Sequence, residues 1–293
     1  MARNSLKKSG LLILFILSFV ICLNNFSLNI KFVSAMPYYD LQAQELVLRA
    51  SFSTSYSSST EQRKNNIKVA SKYLDNAFID VGAEFSFNKV VGERTVARGF
   101  KNAKIIVDGE FVDGVGGGVC QVSTTLYNAV LLSGLMVTEY HPHSLAVSYV
   151  PPSFDAMVNS GWADLRFVNN THNPILVKAV ADNSKVTVSI YGEKMKEKYS
   201  RQSVVNEIIP APDYKVVYDE KGEFPELYQG QSIVLRNAKN GLKSQGYLIC
   251  YDGKKIARQK IRNDNYNPIR GVIMFGTAVE KPLEQETSDQ IED

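Results

Sequence analysis

The stretch GVGGGVCQVSTTLYNAVLLSGL, residues 114–135, carries the strongest structural signal in the chain. Residues 119–133 are apolar nearly all round, which predicts a helix buried in the protein core. Gly134 follows this run and suits the C′ position, where helices often end in a left-handed residue. The three glycines at 116–118 precede the helix and can take backbone conformations that residues with a Cβ avoid. We therefore expect a domain that packs around one buried helix.

The sequence on both sides of the buried helix alternates in hydrophobicity, as strands do. Apolar spacing predicts a further helix near 62–78, and the serine-rich stretch 51–60 fits a strand or a linker equally. Turns are predicted at Asp108–Gly109 and Asn183–Ser184. Strands are predicted at 84–92, 102–114, 145–150, 163–169, 174–182 and 185–192. The predicted fold class is α+β, a mixed domain with a buried helix packed on antiparallel strands.

The composition changes after this mixed domain, which is expected to span 36–192 with a core at about 60–192. The charged run EKMKEKYSRQ predicts a linker over 193–212. Short alternating runs then predict a small β-rich module over 213–276. Its strands are predicted at 232–237, 246–252 and 255–261. The remaining tail, 277–293, is acidic, which is typical of disorder.

The first 35 residues have the pattern of an export signal. A basic start, MARNSLKKSG, precedes a 13-residue apolar run from Leu11 to Leu23. That run is short for a membrane span and suits the apolar region of a signal peptide. A Val-Ser-Ala triplet at 33–35 offers a cleavage site, and an uncleaved membrane anchor stays open as the alternative. We expect the body of the protein outside the cytoplasm, on the extracellular or cell-wall side of the membrane.

The charge balance gives no reason to expect nucleic-acid binding. The formal net charge is +3, but residues 1–35 hold four of the basic residues and no acidic residue. Without them, 29 basic residues face 30 acidic ones, a net charge of −1. A near-neutral body lacks the basic surface that nucleic acids attract.

Cys120 occupies the first turn of the predicted buried helix, directly after the glycines. The unpaired N–H groups and the positive end of the helix dipole stabilise an anion there. Because the thiolate is the nucleophilic form of cysteine, this position suits an acyl-transfer nucleophile. Two other interpretations remain open: a disulfide with Cys250, or a small residue of the core.

A thiol nucleophile needs a base, and the chain has only three histidines. His141 and His143 flank Pro142, so we expect an extended segment with both rings on one face. Asp155 follows two prolines and could orient an imidazole. A zinc site built from Cys120 and both histidines is the rival interpretation, and surface histidines are the plain one. Arg94 could hold a substrate carboxylate bidentately, although such arginines are often simply solvated.

Four long motifs, in order, resemble the VanW-like family of bacterial envelope proteins. They are GAEFSFNKVVGERTVARGF, GGGVCQVSTTLYNAVLLSGL, HPHSLAVSYVPPSFDAMV and WADLRFVNNTHNPILVKA, and they cover roughly residues 60–192. Some family members are described as L,D-transpeptidases that act through the cysteine of a GGGxCQ motif, which falls here at Cys120. The family's HPHS segment falls at 141–144 and its aspartate at Asp155.

The resemblance implies an enzyme that crosslinks the third residues of two peptidoglycan stem peptides. It implies Cys120 as the nucleophile, with His143 as the first choice for the proton shuttle, His141 as the second, and Asp155 beside them. This chemistry needs no metal and no cofactor, and the membrane would be contacted only through an uncleaved N-terminus. Substrate contacts are expected from Arg94, Gly116, Gly117, Gly118, Gln121 and Ser123. The alternative is a non-catalytic peptidoglycan-binding or accessory envelope protein linked to glycopeptide resistance.

The C-terminal segment from about 213 to 276 weakly resembles the second half of a G5 module, a small β unit that often accompanies wall-active domains. A generic β appendage is the alternative interpretation of this segment.

Overall fold

The computed structural model describes residues 46–107 and 110–279. The predicted export signal, the turn at 108–109 and residues 280–293 of the acidic tail lie outside the described residues. Across the described ranges, no helix combines the length and hydrophobicity that a membrane crossing requires.

The described chain forms α-helices and strands in the following order. The helices are α1 (Glu61–Leu74), α2 (Phe87–Val91) and α3 (Val119–Leu132), with a 3-10 turn at Val96–Arg98. The strands up to α3 are β1 (Val47–Ser55), β2 (Ala77–Ile79), β3 (Glu84–Ser86), β4 (Asn102–Val107) and β5 (Glu110–Val115). The strands that follow are β6 (Met136–Glu139), β7 (Arg166–Val168), β8 (Ile175–Ala181), β9 (Lys185–Gly192), β10 (Lys198–Ile209), β11 (Lys215–Tyr218), β12 (Ser232–Arg236), β13 (Gly241–Tyr251), β14 (Ile256–Tyr266) and β15 (Val272–Phe275).

The centre of the fold is an antiparallel sheet with the strand order β1-β9-β8-β2. Buried and partly buried residues alternate along β8 and β9, so one face of the sheet is covered while the other is more accessible. Helices α1 and α3 pack against this sheet and against each other. The predicted β8–β9 hairpin is confirmed, and the serine-rich stretch whose interpretation stayed open forms β1.

The buried helix α3 is confirmed close to its predicted bounds. Its N-cap is Gly118, in the left-handed region at φ 110°, and Gly134 past its end has φ 68°. Helix α1 is confirmed too, although it ends at Leu74 rather than at 78. It ends there because Asp75 is extended and Asn76 takes a left-handed φ of 64°.

Two strand predictions were wrong. In the stretch 84–92 only β3 is a strand, because the Ser86 hydroxyl accepts the Lys89 N–H at 3.1 Å and caps α2. The stretch 145–150 pairs with no strand among the described residues. Its alternation instead reflects side-chain packing, with Leu145 and Val150 buried. The predicted strand at 163–169 shortens to β7, in a sheet of order β3-β7-β6.

The C-terminal part forms two three-stranded sheets, β10-β13-β14 and β11-β15-β12. Strand β10 occupies most of the stretch predicted as a linker, so that prediction was wrong for 198–209. Exposed and partly buried residues alternate from Lys198 to Ser203, as they do in a strand with one covered face. A Cβ on Gly246 of β13 would lie 2.9 Å from the carbonyl oxygen of Ser153. The sheet therefore packs directly against the segment that carries Asp155.

Candidate active site

Cys120 is the second residue of α3, and the glycine loop before it fits tightly against its neighbours. A Cβ on Gly117 would lie 2.6 Å from the carbonyl oxygen of Lys104 in β4. The buried Asn66 side chain of α1 donates to the carbonyl of Gly117 at 3.0 Å and to that of Lys101 at 2.9 Å. The glycines are thus required for packing, and the packed loop fixes where the helix begins.

The polar residues of the apolar helix α3 hold the segment that carries Asp155. Asn128 Nδ2 donates to the carbonyl of Phe154 at 2.8 Å. The Thr124 hydroxyl accepts the Ala156 N–H at 2.9 Å, and the Ser123 hydroxyl donates to the Ala156 carbonyl at 2.6 Å. These contacts satisfy backbone groups on both sides of Asp155, which places its carboxylate beside the start of the helix.

Asp155 and His143 form a buried pair with two hydrogen bonds. Asp155 Oδ2 accepts the backbone N–H of His143 at 2.7 Å and lies 2.7 Å from its Nδ1. Nδ1 is thereby engaged, and a side-chain hydrogen bond between the His143 ring and the Cys120 thiol contributes to lowering the pKa of the thiol and raising that of the imidazole. The thiol also lies 3.4 Å from the carbonyl oxygen of Val158. Cys120, His143 and Asp155 therefore form a nucleophile, base and orienting acid in hydrogen-bonded order.

The electrostatics of this triad favour a thiolate–imidazolium pair. Burial alone would raise the pKa of Cys120, but the hydrogen bond and charge of His143 outweigh burial and lower that pKa. Burial likewise opposes the charge of His143, yet its hydrogen bonds to Asp155 and Cys120 raise its pKa to about 9. The pKa of Asp155 is lowered, because His143 and Arg262 together outweigh the cost of burying the carboxylate. All three shifts therefore favour the charged forms of these groups.

The backbone N–H of Cys120 is available to stabilise an oxyanion. The neighbouring N–H groups are occupied: Val119 donates to Gly116 at 3.1 Å and Gln121 to Gly118 at 3.0 Å. Within the described chain, no acceptor binds the Cys120 N–H. This donor lies on the nucleophilic residue itself, at the positive end of the helix dipole.

Arg94 lies in the same neighbourhood, and its charge is felt by the Cys120 thiol. Its two terminal nitrogens donate to Ser160 Oγ at 2.7 Å and to Asn88 Oδ1 at 2.6 Å. Both hydrogen-bond partners are neutral, and Asp164 acts on the guanidinium through its charge. Whether it binds substrate stays a prediction.

Two predicted substrate contacts were wrong. Gln121 is buried, and its amide bonds to Thr54, Ser55 and Arg63. Ser123 is buried too and holds the Ala156 carbonyl. The GGGxCQ motif suggested that Gln121 faces the site, but the helix rotates this residue towards β1.

His141 lies apart from the triad. Its Nε2 is 3.0 Å from Glu139 Oε1, and its ring packs edge-on against Trp162 with centroids 5.6 Å apart. The structure therefore favours His143, the first choice, as the partner of Cys120. In the described ranges, no group of three or more His, Cys, Asp and Glu side chains is arranged to hold a metal ion. Cys120 and Cys250 are both free, so the predicted alternative of a disulfide between them is not observed.

Sequence reasoning missed four residues around the triad. Asp155 Oδ1 accepts the Tyr266 hydroxyl at 2.5 Å and lies 3.5 Å from Arg262 Nη2. Tyr149 lies close enough to Cys120 for the two to interact electrostatically, and Trp162 exposes 65% of its surface beside His141. Arg262 and Tyr266 sit on β14, which was predicted to belong to a separate module, so no pattern in sequence linked them to Asp155.

Comparisons with known proteins agree with the motifs. The family model described as VanW like protein matches residues 62–191. A Bacillus subtilis (strain 168) protein, the uncharacterized protein YoaR, is 44% identical over 138 residues, covering 47% of this chain and 46% of its own length. The vancomycin B-type resistance protein VanW of Enterococcus faecalis (strain ATCC 700802 / V583) is 27% identical over 139 residues, covering 46% of this chain and 50% of its own length. This chain thus spans about half the length of the curated relatives it matches.

Residues 62–191 are therefore similar in sequence to the VanW-like family. Among solved structures, an IgA1 protease G5 domain is similar at 17% identity over 29% of this chain and 95% of that domain, with a TM-score of 0.18. A TM-score this low carries no argument about the C-terminal sheets. Cys120, His143 and Asp155 all lie within the residues that the family model matches.

Proposed function

We propose that this protein is a peptidoglycan L,D-transpeptidase that works outside the cytoplasmic membrane with Cys120 as its nucleophile. The observation that carries the proposal is the hydrogen-bonded series Cys120, His143 and Asp155 at the start of α3. A structural cysteine needs neither a buried imidazole beside it nor a carboxylate behind that imidazole. The residues of the series fit the roles that acyl transfer by a thiol requires.

In the first half of the reaction, the Cys120 thiolate attacks the carbonyl carbon of the third residue of a tetrapeptide stem. The carbonyl oxygen takes the negative charge, and the Cys120 N–H donates to it. As the intermediate collapses, the C–N bond to the terminal D-alanine breaks. His143, protonated at the nitrogen that faces Cys120, gives its proton to the leaving amine. The products are a thioester on Cys120 and free D-alanine.

In the second half, a side-chain amine of another stem attacks the thioester carbon. His143 is now neutral, and it removes the proton that the attacking amine loses as the new amide bond forms. The C–S bond breaks and returns the thiolate, which the imidazolium again stabilises. Asp155 keeps the imidazole in one orientation through both halves, since it holds the backbone N–H and the ring of His143 with one oxygen.

Substrate recognition in this proposal uses the wall that the loop 158–163 forms beside the thiol. Val158 contacts the thiol through its carbonyl, and Ser160 binds Arg94. We assign to Arg94 the carboxylate of the terminal D-alanine, because the neutral Ser160 and Asn88 hold its guanidinium and, among the described residues, Asp164 acts on it through charge without a hydrogen bond. Trp162 lies on the same loop and offers an exposed aromatic face to the sugar or peptide of the donor.

The experiment incubates the full chain with a purified disaccharide-tetrapeptide and separates the products by liquid chromatography with mass detection. The proposal expects a crosslinked dimer that has lost one D-alanine, and none with Cys120→Ala. If the wild type releases D-alanine without forming the dimer, the acyl-transfer chemistry stands but the protein is a carboxypeptidase. If it binds sacculi and forms neither product, the proposal fails in favour of a non-catalytic wall-binding protein.

A further inference from the structure

The oxygen of Asp155 that does not touch His143 is held entirely by strand β14. Tyr266 donates its hydroxyl to Oδ1 at 2.5 Å, and Arg262 Nη2 lies 3.5 Å from the same atom. Tyr266 is 0% exposed and Arg262 3% exposed, so water does not compete for these contacts. The two oxygens of one carboxylate thus join residues 62–191 to the C-terminal sheet.

Arg262 is itself fixed from several sides. Its Nε lies 2.9 Å from Asp264 Oδ2, and its Nη1 donates to the backbone carbonyl of Asp155. Its guanidinium also lies 4.6 Å from the ring centroid of Tyr140 and 5.4 Å from that of Tyr127, a helix α3 residue. A planar guanidinium held at its edges and its face has one orientation, which makes it a rigid support for Asp155.

Ser153, two positions before Asp155, is hydrogen-bonded to the same sheet. The backbone N–H of Ser153 donates to the Tyr266 hydroxyl at 2.8 Å, and its hydroxyl lies 2.8 Å from Ser244 Oγ. Ser153 has a φ of 65°, a backbone conformation that residues other than glycine rarely take. The sheet therefore holds the backbone of this segment in an unusual turn as well as its carboxylate.

We infer that the C-terminal sheet completes the active site: Arg262 and Tyr266 are positioning residues that fix the Asp155 carboxylate and, through it, the ring of His143 against Cys120. This inference rests on the proposed function. Without the two donors, the carboxylate could turn about its Cβ–Cγ bond and withdraw Oδ2 from the ring. Residues 62–191 alone would then hold the three triad residues in a looser arrangement.

The charges along this line alternate in sign, from the Cys120 thiolate through His143, Asp155 and Arg262 to Asp264. Charges of opposite sign in a buried row stabilise one another when each is also hydrogen-bonded. The other groups that act on the thiol are Arg94, Arg63 and Tyr149. Within the described chain Arg63 and Arg94 form no hydrogen bond with Asp155, so their effect on the thiol is separate from that of the carboxylate. Tyr149 is coupled to both groups, because burial and the charges of Cys120 and Asp155 raise its pKa.

The test measures the rate at which iodoacetamide alkylates Cys120, as a function of pH, in the full chain with Tyr266→Phe. Peptide mass spectrometry separates Cys120 from the other cysteines. The variant removes one hydroxyl from the carboxylate and keeps the ring. We expect the pH of half-maximal alkylation to rise by about one unit, which is about a tenfold lower rate on the acid side.

Tyr247→Phe is the matched control, because Tyr247 lies on the neighbouring strand β13 and, among the described residues, its hydroxyl hydrogen-bonds only to Gln245. It should leave the alkylation profile unchanged. The thermal unfolding midpoint is recorded for each variant. A lower midpoint in Tyr266→Phe with an unchanged alkylation profile would mean a merely structural hydroxyl, and would overturn the inference.

Arg262→Lys is the second variant and keeps the inference testable if Tyr266→Phe fails to fold. It retains the positive charge but loses the planar guanidinium, whose separate nitrogens bond to Asp155 and to Asp264. It should shift the alkylation profile in the same direction. If the wild type itself alkylates like a free thiol, the inference and the proposed function fail together. If the wild type is reactive at low pH and neither variant changes it, only the inference fails.

Discussion

Oδ2 of Asp155 accepts a hydrogen bond from the backbone N–H of His143 at 2.7 Å and also lies 2.7 Å from Nδ1 of the same residue. One carboxylate oxygen therefore fixes the position of the histidine main chain and the orientation of its ring at once. This leaves the second ring nitrogen for the Cys120 thiol. The predictions that follow depend on this relationship.

Replacing His143 by glutamine should raise the pKa of Cys120. Burial raises that pKa, and the hydrogen bond and charge of His143 are the main effects that lower it. Without them only the smaller effects of the Val158 carbonyl and Arg94 oppose burial, so the thiol becomes harder to ionise. The pH of half-maximal alkylation should then move above the free-thiol value of about 8.5. Stopped-flow alkylation from pH 5 to 10 measures it. Cys250→Ser is the control, since that thiol lies outside the triad; a profile unchanged in His143→Gln would contradict the assignment.

The wild-type reaction rate should decline at alkaline pH with a midpoint near 9. His143 must be protonated to donate to the leaving amine, and its pKa is raised from the ordinary 6.5 to about 9. The protonated form is therefore complete below about 6.5 and is lost as the pH rises through about 9. The measurement is kcat/KM for D-alanine release against pH. A decline centred near 6.5 would mean that Asp155 and Cys120 do not hold the proton on His143.

Asp155→Asn should lower kcat by a factor on the order of 10² to 10⁴, because an amide no longer favours the protonated, correctly oriented imidazole. It should also destabilise the fold by about 1–3 kcal/mol, since the buried Arg262 loses one of its two anionic partners and keeps Asp264. Urea unfolding and steady-state kinetics on the same preparation separate the two effects. Glu139→Gln, which removes the carboxylate beside His141, is the matched control and should leave kcat within about threefold of the wild type. Equal losses in the two variants would argue against the triad.

Gly117→Ala should destabilise the protein by about 1–3 kcal/mol, because its Cβ would meet the backbone oxygen of Lys104 at 2.6 Å. Gly114→Ala at the end of strand β5 is the control. The atoms nearest to its Cβ would be those of the Ile105 side chain, which can move, and not backbone. Urea unfolding of both variants measures the difference. Equal stability would show that the tight approach of the loop to β4 is not what requires Gly117.

Trp162 should report ligand binding directly, because it is the only tryptophan in the chain and exposes 65% of its surface beside His141. A bound sugar or peptide that covers the ring should shift its emission to shorter wavelength. The titration uses disaccharide-tetrapeptide with Cys120→Ala, which prevents turnover. Adding D-alanine alone is the control. An emission spectrum unchanged at saturation, with binding shown by calorimetry, would place the substrate elsewhere.

The parts of the fold predicted from sequence are those with a local signal. Helix α3 has its apolar run and its flanking glycines, and the β8–β9 hairpin has its alternation and turn. Cys120 and His143 could likewise be predicted from sequence. A thiol at the start of a helix is stabilised as a thiolate, and a thiolate nucleophile needs a histidine as its base. In the stretch 145–150 alternation reflected packing instead of pairing, which the sequence alone does not distinguish.

The parts that sequence reasoning missed depend on contacts between distant segments. Tyr266 lies 111 residues from Asp155, and nothing in its own neighbourhood marks it as more than a strand residue. Gln121 stands next to the nucleophile in sequence, yet it bonds to β1, because successive residues of a helix point in different directions. Gln121 was therefore predicted as a site residue because it is adjacent to Cys120 in sequence, although its side chain points away from the thiol. Tyr266 was not predicted, because it is distant from Asp155 in sequence although the two are in contact.

The most direct test of the central claim is intact-mass spectrometry of the protein incubated with disaccharide-tetrapeptide, beside Cys120→Ala and Cys250→Ala. The account predicts an adduct with the mass of the donor minus D-alanine in the wild type and in Cys250→Ala, and no adduct in Cys120→Ala. An adduct that persists in Cys120→Ala would contradict the account. So would its absence from the wild type when Cys120 remains alkylatable and no crosslinked dimer is formed.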